Sequence, residues 1–313
     1  MPPQSASPLK GILFKVSSVT LFVLMQTFIK AAGDGVMPGQ VTFYRSAFAM
    51  VPIMIYLAMI GQLRTAFRTD NYFGHFKRGF FGILAMGFGF YGLLHLPMPE
   101  AIAIGYASPL LTVVFAAIFL KETVRLYRWT AVVVGLVGVI IISWPKLSLF
   151  RDGGFQSLEA LGAAAVLLSA LLAAMAMVQL RQLVATEKTP TIVLYFSLTA
   201  SLFSLATMPF GWPPLSLDVT VKLIASGFCG GVAQILLTES YRHADVSAIA
   251  PFEYTSILLG TVIAYLLFGD VPTATMLIGT AIVVGAGIFI IYRENRLGLE
   301  RRLARKANTP NNS

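Results

Sequence analysis

YASPLLTVVFAAIFLKE, Tyr106 to Glu122, is written almost a second time in this chain as YTSILLGTVIAYLLFGD, Tyr254 to Asp270. An offset of 148 residues pairs Tyr106 with Tyr254, Ser108 with Ser256, Leu110 and Leu111 with Leu258 and Leu259, and Glu122 with Asp270. Without a gap the same offset pairs His95 with His243, and GFFGILA from Gly79 with GFCGGVA from Gly227. Matches held at one spacing across so long a stretch point to an internal duplication.

Working outward, 57% of the 313 residues are hydrophobic and 12% charged, which leaves too little polar surface to cover a soluble globule. The chain reads as an integral membrane protein, because a crossing of about 30 Å of hydrocarbon needs roughly 20 apolar residues and such runs recur. Ten helical spans are expected: Gly11–Ala31, Val41–Ile60, Gly79–His95, Glu100–Leu120, Arg128–Trp144, Ser157–Leu180, Thr191–Phe210, Thr220–Glu239, Val246–Phe268 and Ala274–Tyr292. The first is too long for a signal-peptide core, and the AAGDGVMPGQ after it reads as a turn.

The net charge of +9 is topological information and calls for no nucleic-acid partner. With the N-terminus inside, cytoplasmic segments hold Lys10, Lys15, Arg64, Arg68, Lys77, Arg78, Lys121, Arg125, Arg128, Arg181, Lys188, Arg242 and the six basic residues from Arg293 to Lys306. The outside keeps only Lys30, Lys146, Arg151 and Lys222. Both termini are therefore expected in the cytoplasm. Each repeat then has five spans, and an odd number inserts the second copy upside down relative to the first. The expected architecture is all-α: a short cytoplasmic leader (1–10), a five-helix repeat (11–144), a linker (145–156), an inverted five-helix repeat (157–292) and a basic cytoplasmic tail (293–313). Inverted repeats are a hallmark of secondary transporters, whose substrate sites lie near the midplane between the halves.

Charged groups in hydrocarbon usually face a cavity or a partner. Arg45, in VTFYRSAF of the second span, and Glu253, in APFEYTS of the ninth, are candidates for substrate or ion contact. Burial would raise the Glu253 carboxyl and suit it to carry a proton, but no cation is visible at its depth. Tyr106 and Tyr254, matched by the repeat, approach the midplane from opposite faces. With Tyr44, Tyr91 and Gln234 they offer rings and hydrogen bonds to a planar, uncharged solute. Pro109 and Pro251 lie beside these tyrosines and mark kinks. Lys30 reads as a snorkelling interface residue, and Glu239 with Arg242, three apart, as a clamp at the inner mouth. The Gly-rich runs GFFGILAMGFGFYG and VVVGLVGVIII suit close helix packing.

His95 and His243 lack the neighbours a metal site needs, and the lone Cys229 reads as a small buried residue. No hydrolase motif or paired carboxylates occur, so neither catalysis nor a cofactor is expected.

The first-half YASPLLT and FLKE with the second-half APFEYTSILLG and LLFGD resemble the EamA type of the drug/metabolite transporter superfamily, over Gly11 to Tyr292. That resemblance implies movement of small metabolites across the bacterial inner membrane, outward for some members and inward for others. SPLKGILFKVSSVTLFVLMQTFIK and PGQVTFYRSAF are most similar to the bacterial riboflavin importers, whose relatives carry S-adenosylmethionine and amino acids. Riboflavin uptake is the leading expectation, with exporters or importers of amino acids or S-adenosylmethionine-like metabolites as the alternative. A non-transporting receptor or assembly factor is the rival of another class. The partners expected are a small-molecule metabolite and lipid, with monomer and homodimer both open.

Overall fold

A computed structural model describes residues 8–33, 35–121, 124–149, 157–184, 186–243 and 250–307. Among these residues the fold is entirely helical, as hydrocarbon requires: without water, backbone groups are satisfied within the helix itself. The helices are α1 (Pro8–Ala31), α2 (Pro38–Met59), α3 (Tyr72–His95), α4 (Met98–Gly105), α5 (Ala107–Phe119), α6 (Leu126–Leu147), α7 (Leu158–Val184), α8 (Thr189–Leu205), α9 (Leu217–His243), α10 (Thr255–Phe268) and α11 (Ala274–Ala307). Eight helical stretches are long and apolar enough to cross a membrane, and Phe252–Phe268 is a shorter apolar one. Helix α3 has the length, at 24 residues, but carries His75, Lys77, Arg78 and several glycines.

The two halves pack by exchange. The first helix of each half lies against the third of the other, so α1·α9 and α3·α7 are the most extensive pairs; α6 packs on α11, and α2 on both α8 and α9. Hydrogen bonds repeat the exchange: Ser18 donates to the Ala233 carbonyl at 2.7 Å, and Ser169 to the Ala85 carbonyl at 2.6 Å. Those two carbonyls are 148 residues apart.

Local backbone features recur at the same spacing. The fourth expected span is not one helix but two, broken at Tyr106 (φ −66°, ψ −4°), and Tyr254 has nearly the same conformation (φ −68°, ψ −11°) ahead of α10. Pro109 accounts for the first break: it offers no N–H to the Gly105 carbonyl and its ring crowds that oxygen. In place of the expected helix, residues Ala250–Tyr254 form a 3₁₀ turn. Downstream, Lys121 and Gly269, again 148 apart, both take left-handed φ, at 52° and 69°. Helix α3 begins at Tyr72, earlier than expected, because the Asn71 side chain caps it by accepting from the Gly74 N–H at 2.9 Å.

The glycine runs act as close-packing faces. A Cβ on Gly138 would lie 2.8 Å from the Gly279 carbonyl, and one on Gly279 would lie 2.6 Å from that of Gly138. The tail through Ala307 is helical and continuous with the last span.

Candidate functional site

Three of the five candidate residues gather where α1, α4, α5 and the 3₁₀ turn meet. Tyr106 and Tyr254 face each other with ring centroids 5.2 Å apart. The Tyr106 hydroxyl donates to the Glu253 carbonyl at 3.0 Å and also touches the Ser256 hydroxyl, so it braces the second half's break from the first half. The Glu253 carboxylate pairs with Lys15 of α1 at 2.9 Å. Three expectations are corrected here. Glu253 is not buried, its side chain being 56% exposed, and it does have a cation at its depth. Lys15, read as a cytoplasmic topology charge, is 1% exposed inside the bundle.

Arg45 lies apart from this cluster. It is 7% exposed, turned into the bundle between α1, α3 and α9: its Nη1 lies 3.7 Å from the Met86 sulfur, and its Nε borders Gly230 beside the Met25 sulfur. A second guanidinium approaches it. Arg78 runs up α3 past Gly82, where a Cβ would strike its Nη1, and lies 4.4 Å over the Phe196 ring. The two charges are near enough to repel. Each Nε is buried without a hydrogen-bond partner, and among the described residues neither guanidinium has a carboxylate within ion-pairing distance. The charge count by loop places Arg78 outside the span; with α3 starting at Tyr72 it falls inside the helix, partly buried. The i, i+4, i+8 spacing of Arg78, Gly82 and Met86 was the signal available in the sequence.

Two cavities lie at opposite ends of α2 and α8. The larger, about 530 Å³, is an apolar groove between α2, α3, α7 and α8, lined by residues including Thr42, Gly87, Phe88, Tyr91, Leu168 and Thr207. The other, about 20 Å³, is far smaller and is lined by Tyr56, Pro190, Gln234 and Thr238 among others. Gln234 thus lines the small cavity, and none of the five candidates lines the large one. Arg45 is one helical turn from Thr42 on α2, and its contact Met86 adjoins Gly87 on α3, so Arg45 stands beside the inner end of the groove.

The remaining candidates are mainly structural. Lys30 donates to the Leu94 and Leu96 carbonyls at 2.9 and 2.7 Å, docking on the C-terminus of α3 where cations are favoured. Glu239 accepts from the Tyr56 hydroxyl at 2.6 Å; the Arg242 side chain of the expected clamp lies outside the described residues, as does Glu122. His95 and His243 each place Nδ1 within 2.9 Å of the carbonyl four residues back. Among the described residues no three His, Cys, Asp or Glu gather as a metal site.

The EamA-like transporter family matches residues 9–144 and 160–293. An S-adenosylmethionine uptake transporter of Rickettsia prowazekii is 25% identical, over 92% of this chain and 94% of its own. A riboflavin transporter of Vibrio cholerae is 27% identical (94% and 97%), and the pseudopaline exporter CntI of Pseudomonas aeruginosa 29% (89% and 94%). A solved structure at 20% identity shares the fold, with a TM-score of 0.64 over 93% of this chain and 99% of its own. With both halves matched, the chain belongs to the EamA-like transporter family, and its relatives are transporters of small molecules.

Proposed function

We propose that this protein is an alternating-access carrier of a small organic metabolite in the bacterial inner membrane, built from ten spans in two inverted five-helix repeats with both termini cytoplasmic. The observation that carries this reading is the pair of unequal cavities at opposite ends of α2 and α8, about 530 Å³ and about 20 Å³. A carrier caught with one gate open has that asymmetry, and the mutual exchange of first and third helices is what a two-fold axis in the membrane plane would produce. The bias of Lys and Arg toward one set of loops supports the large cavity as the outward one. Tyr106, Tyr254 and Glu253 with Lys15 then form the hinge contact between halves, while Gln234 lines the small cavity and Arg45 stands beside the large one.

Riboflavin uptake is the first cargo to test, since the apolar groove with Tyr91 and Phe88 accepts a planar ring. Complementation of a riboflavin-synthesis mutant at limiting vitamin is the experiment: growth is expected, and failure of well-expressed protein retires this cargo. A second reading, an amino-acid or S-adenosylmethionine-like solute moved in or out, is favoured by one observation, the Arg45 guanidinium without an acidic partner among the described residues. Uptake by proteoliposomes of a metabolite panel tests transport as such, and a panel that is wholly refused would favour a receptor or assembly factor.

A further inference from the structure

The geometry points to an oxyanion-binding site formed by Arg45 and Arg78 at the inner end of the groove, which makes the cargo a solute carrying a carboxylate or phosphate group. This rests on the carrier reading and narrows its substrate class to that of the second cargo reading, since riboflavin carries neither group and falls outside it. A guanidinium does not lose its proton, so both side chains remain charged where the surroundings are thioether, phenyl and glycine. A charged arginine within a membrane span is disfavoured, and such residues ordinarily pair. Here neither has a carboxylate partner among the described residues, and the charge of Arg45 repels that of Arg78. Buried Nε donors left without acceptors are the part of the fork that a planar or tetrahedral oxyanion engages. One anion between the pair would satisfy those donors and cancel the repulsion together.

Two glycines let the arginine side chains take these positions. Gly82 leaves the path that Arg78 takes along its own helix, where any side chain would block it, and Gly230 leaves the space beside the Arg45 Nε. The apolar groove then takes the rest of the solute. Glu253, the candidate acid of the membrane interior, is occupied by Lys15 and offers neither arginine a counter-ion.

The test uses purified full-length protein in neutral-lipid nanodiscs and matched probes that need no knowledge of the natural cargo: succinate against succinamide, and inorganic phosphate against chloride. Succinate, phosphate or both are expected to raise the Tm by a few degrees beyond the uncharged or spherical control. Arg45→Gln and Arg78→Gln should each abolish that difference, and Arg45→Lys should keep part of it. Should Arg45→Gln fail to fold, Arg78→Gln and Gly82→Leu, which displaces Arg78, carry the same expectation. Equal shifts for oxyanion and control overturn the site, as does a preference that survives loss of the arginines. An effect that disappears when phosphatidylglycerol is added assigns the pair to a lipid head group and overturns the solute reading. Transport is scored separately: vesicles that move neutral solutes while oxyanions fail to bind would reject this inference and leave the carrier intact. Oxyanion binding without transport of any solute would do the reverse.

Discussion

At the scale of single residues, the Lys15–Glu253 pair is asymmetric: the ammonium is buried and the carboxylate half in solvent. Exposed partners gain little from an ion pair, and a buried charge loses more when its partner goes. In a double-mutant cycle Glu253→Gln and Lys15→Met should each destabilise, and the double variant should be less damaged than their sum by about 1 kcal/mol, read from Tm in nanodiscs. Additive losses would show that the pair contributes no coupling. Lys121 and Gly269 supply a second contrast, because both sit at left-handed φ but only one is glycine. Lys121→Gly should stabilise by up to about 1 kcal/mol, and Gly269→Ala should destabilise by a similar amount, both measurable as Tm shifts. Much at this scale was legible in the sequence: the paired tyrosines meet, and Arg45 faces inward. What escaped was partner identity. Lys15 and Arg78 stand near basic runs at helix starts, so a count of charges by loop absorbs them, and only the helix face they occupy reveals the inward turn.

Elements explain why that face matters. Spans defined by hydropathy end where charges begin, so α3 was expected from Gly79, whereas its Asn71 cap starts it two turns earlier. The fourth span looked continuous for the opposite reason: hydropathy is blind to a missing N–H, and Pro109 opens the helix at Tyr106 without any change in polarity. Glycines were read correctly as packing faces, but not all are equal. Gly138 and Gly279 hold α6 and α11 at backbone contact, while a Cβ on Gly285 of α11 would meet nothing within 4 Å. Gly138→Leu should therefore lower stability by about 1–3 kcal/mol through overpacking. Gly285→Ala should be neutral or stabilise by up to about 1 kcal/mol, as helix propensity alone decides there. Comparable losses in the two variants would mean that the contact between α6 and α11 is not a determinant of the fold.

For the whole molecule, the two cavities and the exchanged helices make one joint expectation. If the bundle has two states, one open at each end, their populations sum to unity, so whatever closes one mouth must open the other by the same fraction. Thr207 lines the large cavity and Thr238 the small one, at opposite ends of α8 and α9. In a Cys229→Ala background, Thr207→Cys should react quickly with a membrane-impermeant maleimide from outside, and Thr238→Cys slowly from inside. A cargo held equally well in both states shifts neither rate, however tightly it binds, whereas an inhibitor that prefers one state moves them in opposite directions. Near-complete reversal would need a preference of about 10⁴ for one state, so shifts of severalfold are what a modest ligand should give. Rates that rise or fall together would describe a breathing bundle and remove alternation. Fast labelling of Thr207→Cys only from the cytoplasmic side would instead keep alternation and reverse the orientation read from the distribution of Lys and Arg.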